Sequence, residues 1–294
     1  MTLQQNGARP YILWRYRFQP CWQFFPTMRF LLDAFSACFT RCAAPAPAAV
    51  PPRPAPPAIP DGLRVYAVGD IHGENRLLER LLEVIRADAA DHPPEATIVV
   101  FLGDYIDRGP DSRAVLDILT GNPLPGCRVH YLAGNHEAAL VDFLGGHAGG
   151  MDWLAFGGME TVASYGLSPP RTPTPALLAR LRAELPDRMP SAHLAFLHGL
   201  DHSCIIGDYG FVHAGIRPGL AFADQSPVDL LRIREPFLSD PRPHDHVIVH
   251  GHTITGTPEQ RPNRIGIDTG AYATGVLTAL RLAGTEQGFL QVRR

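Results

Sequence analysis

The sequence predicts an α/β fold in which a largely parallel sheet is followed along the chain by a second sheet. Three observations lead to this prediction. Between residues 63 and 137, short β-branched runs alternate with stretches of helical period. After about residue 205, strand-like runs follow one another closely. The first three runs each end in a glycine-flanked polar motif, as expected at the carboxyl edge of an open α/β sheet, where such folds bind ligands.

The first half of this pattern reads strand, helix, strand, helix, strand. Runs rich in valine and isoleucine predict strands, and leucines at helical spacing between them predict amphipathic helices that cover the sheet. The strands are predicted at residues 63–68, 97–102 and 129–133, and the helices at residues 76–89 and 112–119. The strands lead into Asp70, Asp104 and Asn135, so these polar side chains are expected at one edge of the sheet.

The second half of the pattern predicts a cap and further strands. Residues 138–195 form a glycine-interrupted, mainly helical stretch, which we interpret as a cap over the site. Helices are predicted there at residues 151–165 and 175–185, and later strands at residues 205–212, 247–250, 264–267, 276–282 and 289–292. Because these later strands lie close together in the chain, we expect them to form the second sheet, packed on the first.

The amino-acid composition is typical of a globular protein and argues against several other classes. Of the 294 residues 45% are apolar, which is ample for a sizeable core. The chain carries 26 basic and 29 acidic residues, of which six and one fall in residues 1–60, leaving 20 against 28 in the remainder. An acidic body excludes a non-specific nucleic-acid binder, which needs a basic face. The five cysteines form no Cys-x-x-Cys pair, which favours the cytoplasm over a disulfide framework in an oxidising compartment.

Residues 1–60 are predicted to be an extension and linker, separate from a catalytic domain over residues 61–294. The linker, residues 43–60, is almost entirely alanine and proline, with eight prolines, and such a composition favours extended polyproline II structure. Residues 28–42 place apolar side chains on one helical face, which would suit weak contact with a partner or a membrane surface. A poorly ordered extension, or translation that starts at Met28, explains the same residues. An acidic residue interrupts the apolar run there, so no transmembrane segment is predicted.

Five short motifs between residues 69 and 253 carry carboxylate, imidazole and amide side chains. They are Gly-Asp-Ile-His-Gly at 69–73, Gly-Asp-Tyr-Ile-Asp-Arg-Gly at 103–109, Gly-Asn-His-Glu at 134–137, Val-His-Ala-Gly at 212–215 and His-Gly-His-Thr at 250–253. Any one alone is explained by a turn, a helix N-cap or a strand-end hydrogen bond. Together they place metal-ligand residue types after successive strands, which favours a metal site over five unrelated turns.

The order of these residues predicts a centre for two divalent ions. Asp70 and His72, two apart after one strand, can turn toward one ion, and Asp104 can lend its carboxylate to both ions. The second ion is expected to take its other ligands from later strand ends, at Asn135, His213 and His252. A water that bridges two such ions is available as hydroxide near neutral pH. We expect Mn²⁺, although Fe and Zn²⁺ also accept these ligands.

These motifs resemble those of the calcineurin-like metallophosphoesterases. The Asp107-Arg108 pair together with Glu137 resembles the phosphoprotein phosphatase branch and its bacterial serine/threonine phosphatases. The resemblance covers roughly residues 63–292 and implies two mixed β-sheets packed face to face and flanked by helices, with the metals at one end. It implies one metal held by Asp70, His72 and Asp104, and a second held by Asp104, Asn135, His213 and His252.

The same resemblance implies catalytic roles. His136, which follows the asparagine, would protonate the leaving oxygen, and Asp107 would steady its imidazole. Arg108 would grip the phosphate, for which its planar guanidinium fork is suited. Arg234 resembles a second phosphate-binding arginine of the bacterial members, although a surface ion pair with Glu235 would explain it too.

Three further positions bear on the resemblance. Ile254 stands where many broader metallophosphoesterases carry a further metal-binding histidine, which again favours the phosphoprotein phosphatase branch. Arg232 stands where bacterial relatives often have tryptophan, so the wall of the pocket there is expected to differ. Asp268 recurs near the site in similar proteins, where it would hold a ligand in place.

We therefore expect a metal-dependent phosphomonoesterase, specifically a serine/threonine protein phosphatase, that uses direct in-line attack by a metal-bridging hydroxide. Its substrate would be a phosphorylated protein or a small phosphoester. A symmetrical dinucleoside tetraphosphatase is the enzymatic alternative, although such enzymes typically carry alanine at Asp107 and aspartate at Glu137. A catalytically silent module that binds phosphorylated partners is the alternative from another class, but no ligand position is substituted.

Overall fold

The computed structural model describes residues 55–91, 96–147, 149–168, 172 and 174–294. The segment at residues 28–42, for which the sequence predicts a docking role, lies outside the described residues, as does Met28. Within the described part of the chain, no helix combines the length and the apolar character needed to cross a bilayer.

The first sheet contains five strands in the order β10-β9-β1-β2-β3. The strands are β1 (Leu63–Val68), β2 (Ala96–Phe101), β3 (Arg128–Tyr131), β9 (Val276–Ala283) and β10 (Glu286–Arg293). β1, β2 and β3 are parallel, so their carboxyl ends share one edge, whereas β9 runs antiparallel to β1 and β10 antiparallel to β9. The three parallel strands confirm the predicted strand-helix repeat to within one or two residues at each end.

Two helices connect the parallel strands as the hydrophobic periodicity predicts. Helix α1 (Asn75–Asp91) buries five leucine and isoleucine side chains on one face. Helix α2 (Ser112–Thr120) begins after Asp111, whose carboxylate accepts a hydrogen bond of 2.9 Å from the backbone N–H of Ala114. This N-cap fixes the start of the helix just after the Asp-Arg-Gly segment of the second motif.

The second sheet also has five strands, in the order β4-β5-β6-β8-β7. They are β4 (Ser203–Ile206), β5 (Tyr209–Val212), β6 (Val247–His250), β7 (Glu259–Gln260) and β8 (Arg264–Gly266). β5, β6 and β8 are parallel to one another, and β4 and β7 are antiparallel edge strands. The prediction of one strand over residues 205–212 was wrong, because Gly207 adopts a positive φ of 58° and turns the chain into a β4-β5 hairpin.

The prediction that all the later strands form the second sheet was also wrong. β9 and β10 belong to the first sheet, where β9 pairs with the otherwise free edge of β1 and places Val65 opposite Leu282. Nearness in sequence gave no information about this pairing, because the chain returns to the first sheet only after the fifth strand of the second. The first sheet is consequently mixed, as is the second.

The two sheets pack face to face through an apolar layer. Val65 and Ala67 of β1 point into this layer, where they share a buried cluster with Phe211 of β5 and Val249 of β6. The alternate residues of the first sheet point to the opposite face and pack on the helices. A third cluster, which includes Val212 of β5, Ile248 of β6 and Phe237, covers the outer face of the second sheet. This arrangement of helices, sheet, sheet and helix confirms the predicted fold class.

The segment that follows β3 is mainly helical. It contains α3 (Asn135–Leu144), α4 (Gly150–Trp153), a π-helical turn (Leu154–Gly158), α5 (Met159–Ser164), α6 (Pro175–Arg188) and α7 (Ser191–His198). The helix predicted over residues 151–165 is interrupted by the π-helical turn, where Gly157 has a φ of 131°. Two short helices follow later, α8 (Pro227–Arg232) and α9 (Ala271–Thr274).

The described end of the proline-rich segment contacts a turn of each sheet. Ile59 is only 1% exposed and belongs to the layer between the sheets. Its backbone N–H donates to the carbonyl of Gly284 at 2.8 Å, and the N–H of Ala58 donates to the carboxylate of Asp208 at 2.9 Å. These contacts attach residues 58 and 59 to the β4-β5 and β9-β10 turns.

Candidate metal centre and active site

The polar motifs converge where parallel strands of the two sheets end. Asp70 and His72 follow β1, Asp104 follows β2, and Asn135 begins α3, the helix that follows β3. From the second sheet, His213 follows β5 and His252 follows β6. All of these residues except His252 are less than 9% exposed, and the buried His252 Nε2 atom points inward. The structure thus brings six residues from distant parts of the sequence into one site.

Asp104 occupies the middle of this site. Its Oδ2 atom lies 3.5 Å from His72 Nε2, 3.4 Å from His213 Nε2 and 3.9 Å from His136 Nε2. Two groups with metal-binding geometry share Asp104, the first with His72 and His136 and the second with His213 and His252, and the ligand atoms of each group lie within 4.8 Å of one another. This geometry is that of a carboxylate able to bridge two ions.

Hydrogen bonds determine which nitrogen each imidazole offers. His72 Nδ1 lies 2.8 Å from the carbonyl of Ile106, and His213 Nδ1 lies 2.9 Å from the carbonyl of Leu102. A carbonyl oxygen can only accept, so Nδ1 carries the hydrogen in both rings, which leaves the lone pair of His72 Nε2 free. His213 Nε2 lies 3.0 Å from the amide oxygen of Asn135, so these two atoms are placed to share one cation. This pattern is typical of histidines that bind metals.

Several buried atoms in the site have no protein partner. The Nε2 atoms of His72 and His252 are buried without a hydrogen bond among the described residues. Burial lowers the pKa of each of these two imidazoles to about 3, which leaves them neutral and able to coordinate a cation. Both features fit the imidazole, amide and carboxylate ligand set of a divalent transition metal.

The carboxylates of the site also fit a pair of cations. Burial and the neighbouring carboxylates of Asp268 and Asp104 raise the pKa of Asp70 well above its usual range. Asp70 accepts hydrogen bonds of 3.1 and 3.3 Å from the backbone N–H of His252, and Asp268 accepts one of 2.9 Å from Gly270 N–H. Divalent ions would offset this crowding of buried negative charge. Asp70 is outside the two groups of closest ligand atoms, where His136 stands instead.

The Nδ1 atom of His136 contacts a charged carboxylate, whereas those of His72 and His213 contact uncharged backbone carbonyls. Its Nδ1 atom lies 2.7 Å from the carboxylate Oδ2 of Asp107, and both side chains are fully buried. Burial would lower the pKa of His136, but the carboxylates of Asp104 and Asp107 outweigh burial and raise it above its usual value. His72 and His213 donate instead to uncharged carbonyls, and burial lowers the pKa of both. His136 is therefore suited to hold a proton and the other two to bind a cation.

Glu137, which the sequence associates with the Asn-His pair, shapes the backbone around Asp104. Its carboxylate accepts hydrogen bonds of 2.8 to 3.2 Å from the N–H groups of residues 104, 105, 106 and 134. This single side chain holds the loop after β2 against the first turn of α3. It thereby fixes the position of Asp104 relative to Asn135.

The site loops contain unusual backbone conformations. Among the described residues, six non-glycine residues have positive φ, and five of them are in the site: His72 (47°), Asp104 (52°), Asp107 (72°), Arg108 (66°) and His252 (62°). Such conformations cost about 1 to 3 kcal/mol each and persist only where surrounding contacts enforce them. Here the N–H groups of Ile71 and His72 donate to the carbonyl of Asp104 at 3.0 and 2.9 Å, which ties two of the loops together.

The two arginines that the sequence assigns to phosphate binding flank the site. Arg108 lies over the ring of Tyr272, 5.0 Å from its centroid, and donates weakly to the carbonyl of Phe156 at 3.5 Å. Arg234 donates to the backbone carbonyl of His252 at 3.3 Å. A cleft of about 990 Å³ opens beside Arg108 and Tyr272. Three further arginines line it, at positions 76, 80 and 294, together with acidic residues at positions 74, 111 and 160, and Arg294 is paired with Glu74.

Some residues at this site were not predicted from the sequence. Trp153 and Thr161 both donate hydrogen bonds to the carboxylate of Asp107, at 2.9 and 2.5 Å. Tyr272 contacts both Arg108 and the ring of His72, the latter at a centroid distance of 5.3 Å. A signal was available only for Tyr272, which stands four residues after Asp268. Nothing in the local sequence links Trp153 or Thr161 to an aspartate about fifty residues earlier.

Comparison with known proteins gives a family match and several relatives. The sequence profile of the calcineurin-like phosphoesterases matches residues 63–272. The chain is 32% identical over 231 residues to a protein of Anoxybacillus flavithermus named bis(5'-nucleosyl)-tetraphosphatase PrpE [asymmetrical], covering 73% of this chain and 88% of the relative. A protein of the same name from Halalkalibacterium halodurans is 27% identical over 74% of this chain and 90% of its own length.

Two other similarities are more limited. Serine/threonine-protein phosphatase 2 of Escherichia coli K12 is 36% identical over 94 residues, which cover 32% of this chain and 38% of that protein. A crystal structure described provisionally as a diadenosine tetraphosphatase has a TM-score of 0.54 at 22% identity, covering 78% of this chain and 93% of that one. The structural similarity supports the fold.

Proposed function

Because this chain belongs to the calcineurin-like phosphoesterase family, we propose that it is a metal-dependent hydrolase whose substrates are dinucleoside tetraphosphates. The observation that carries the hydrolase assignment is the central position of Asp104, which lies between the Nε2 atoms of His72, His213 and His136. Asp70, His72 and Asp104 would hold one divalent ion, and Asp104, Asn135, His213 and His252 the other. When bound, the ions would lower the pKa of a coordinated water and polarise the phosphoryl oxygens.

The reaction adds one water to a phosphorus atom and breaks one P–O–P bond. Asymmetrical cleavage of a four-phosphate bridge gives a nucleoside triphosphate and a nucleoside monophosphate. His136 would give its Nε2 proton to the departing oxygen, and the Asp107 carboxylate would keep its imidazole charged until then. Arg108 and Arg234 would pair with the non-bridging oxygens of the phosphoryl group that is attacked.

Relatives and surface shape together support a substrate that extends beyond one phosphoryl group. Two relatives that this chain covers over 88% and 90% of their lengths carry the name of an asymmetrical bis(5'-nucleosyl)-tetraphosphatase. The cleft beside Arg108 could accommodate further phosphates near Arg76 and Arg80. Arg76 is exposed, and among the described residues its guanidinium has no ion-pair or hydrogen-bond partner.

This proposal revises the order of the expectations from sequence. A serine/threonine protein phosphatase was expected first and a symmetrical dinucleoside tetraphosphatase second, and the relatives favour the tetraphosphatase class. Their names specify the asymmetrical reaction instead of the symmetrical one. The sequence argument from Asp107 and Glu137 is therefore a weak guide to the substrate.

A serine/threonine protein phosphatase is the second candidate, and the His136–Asp107 pair favours it. A serine alkoxide is a much poorer leaving group than a nucleotide phosphate, so a buried and charged acid is most valuable for phosphate monoesters. The 94-residue similarity to the Escherichia coli phosphatase agrees with this candidate but covers only 38% of that protein.

A substrate comparison with product analysis tests the proposal. Full-length protein with MnCl₂ would be assayed on diadenosine tetraphosphate and on a phosphoserine peptide, with a chelator-treated sample as control. We expect kcat/KM for the nucleotide to be higher by at least about tenfold, or about 1.4 kcal/mol of transition-state binding, with ATP and AMP as products. A preference for the peptide would overturn the substrate in favour of the second candidate, and two molecules of ADP would overturn the asymmetrical reaction. Hydrolysis of neither, with both ions bound, would overturn the hydrolase assignment.

A further inference from the structure

The carboxylate of Asp107 is fully buried and accepts three hydrogen bonds. Its Oδ2 atom receives His136 Nδ1 at 2.7 Å and the indole Nε1–H of Trp153 at 2.9 Å. Its Oδ1 atom lies 2.5 Å from the hydroxyl of Thr161. One of these donors belongs to the proposed acid, and the other two come from the helical segment after α3.

The protons around Thr161 can be assigned from donor and acceptor rules. A carboxylate can only accept, so the single hydroxyl hydrogen of Thr161 points to Asp107 Oδ1. The contact of 2.9 Å between Thr161 and Ser112 is then donated by Ser112, and the backbone N–H of Asp107 donates to both hydroxyls at 2.9 and 3.0 Å. Thr161 consequently fixes both the side chain and the backbone of Asp107.

Trp153 is itself held in one orientation. Its ring is fully buried and stacks on Phe143 with a centroid distance of 4.9 Å. Gly158 packs so closely against the same ring that a Cβ atom there would lie 2.5 Å from it. The indole N–H therefore cannot turn away from Asp107 without displacing α3 or the π-helical turn.

We propose that Trp153 and Thr161 are positioning residues that fix the Asp107 carboxylate and, through it, the orientation of the His136 imidazole. The proposal rests on the proposed function, since it concerns the acid of the same reaction. Neither residue touches the substrate in this role. Without the two donors the carboxylate is free to rotate about its Cβ–Cγ bond, and His136 Nε2 loses its aim at the departing oxygen. Misplacement of a catalytic group by about 1 Å is enough to cost a hundredfold in rate.

Variants that remove single hydrogen bonds test this proposal. Thr161→Val removes the hydroxyl, Thr161→Ser retains it, and Trp153→Phe removes the indole N–H. Tyr165→Phe is the matched control, because Tyr165 is equally buried in the same segment and donates to His193 at 2.8 Å, away from Asp107. Each Mn²⁺-loaded protein would be assayed on p-nitrophenyl phosphate, whose leaving group needs little protonation, and on phenyl phosphate, whose leaving group needs more.

We expect Thr161→Val and Trp153→Phe to lower kcat on phenyl phosphate roughly 10- to 100-fold more than on p-nitrophenyl phosphate, by analogy with residues that orient metal-binding side chains through hydrogen bonds. KM should change little, and Thr161→Ser should restore kcat. In the metal-free proteins, proton NMR should show the downfield signal of the His136 Nδ1–H weakened or shifted in the two variants but unchanged in Tyr165→Phe.

Equal losses on the two substrates, with an unchanged His136 signal, would overturn the positioning role even if the variants were less stable. A wild-type protein that hydrolyses neither substrate, nor diadenosine tetraphosphate, would instead count against the proposed function. In that case the NMR comparison still decides whether Trp153 and Thr161 fix the Asp107–His136 pair.

Discussion

Replacing Gly157 with alanine should displace the loop that carries Asp107 and Arg108 without contacting any proposed metal ligand. Gly157 is in the π-helical turn at φ 131° and ψ −1°, a conformation that a side chain disfavours. A Cβ atom there would lie 2.7 Å from Arg108 Cγ, 2.8 Å from Arg108 N and 3.1 Å from Asp107 Cβ. The carbonyl of Gly157 also accepts the Arg108 N–H at 3.1 Å, so that bond must move too.

The size of the effect follows from these contacts. A strained backbone costs about 1 to 3 kcal/mol, and overpacking against a buried loop costs about 1 to 3 kcal/mol. We therefore expect a loss of stability of roughly 2 to 6 kcal/mol, which lowers Tm by roughly 4 to 24 °C in a domain of this size. Displacement of Arg108 and Asp107 should lower kcat/KM on p-nitrophenyl phosphate about a hundredfold.

Gly149→Ala separates strain from collision. Gly149 has a φ of 104° and a ψ of −1° in the same segment, but a Cβ atom there would meet nothing within 4 Å. Thermal unfolding, Mn²⁺ stoichiometry and kcat/KM would be measured on both variants. We expect Gly149→Ala to lose only the part of the stability that strain explains and to keep its activity. If Gly157→Ala retained activity within about twofold of Gly149→Ala, the close approach of this turn to the catalytic loop would have no functional weight.

Four further predictions follow from the site and its surroundings. Asp104→Asn should lower the occupancy of both ions, as measured by metal analysis after gel filtration, and unchanged stoichiometry would argue against a bridging role. His136→Asn should keep the metals but lower turnover of alkyl phosphates about 10²- to 10⁴-fold more than turnover of p-nitrophenyl phosphate. Arg76→Glu should raise KM for diadenosine tetraphosphate by about tenfold or more, since a phosphate contact becomes a repulsion, and KM for p-nitrophenyl phosphate should change much less. Burial lowers the pKa of His193 below its usual value of 6.5, so at acidic pH the unfolded chain binds a proton that the folded chain does not, and stability falls as the pH drops below 6.5. Between pH 7 and pH 5, the drop in Tm should be smaller for His193→Gln than for the wild-type protein, and equal drops would show that His193 does not cause the pH dependence.

The sequence predicted the individual strands and helices of the first sheet, because these depend on the residues within each segment. The strand from residue 63 to 68 was recognised from its short β-branched and apolar run, whose last four residues are all buried. The helix around residues 76–89 was recognised because its apolar residues recur at helical period. The polar residues after those strands were identified as one cluster because parallel strands carry their ends to the same edge. The ligand assignments themselves remain predictions for metal analysis.

Features that depend on contacts between distant segments were beyond reach. Whether β9 joins the first or the second sheet is decided by its pairing with β1, more than two hundred residues earlier. Trp153 and Thr161, which donate to Asp107, lie in a segment for which the sequence indicated only helices interrupted by glycines. The β4-β5 turn, by contrast, has a local signal, because Gly207 and Asp208 form a two-residue loop of a type that favours a β-hairpin. It was missed because the residues on both sides favour strand.

The apolar layer between the two sheets has a consequence for protein engineering. Asp104 follows a strand of one sheet and His213 follows a strand of the other. The distance between the two proposed metal ions therefore depends on how the sheets pack together through Val65, Phe211 and Val249. A substitution that lets the sheets slide would alter coordination distances although it lies far from any phosphate. Substitutions in this apolar layer that are made to raise thermal stability would therefore also change activity. Substitutions at the surface would avoid that effect.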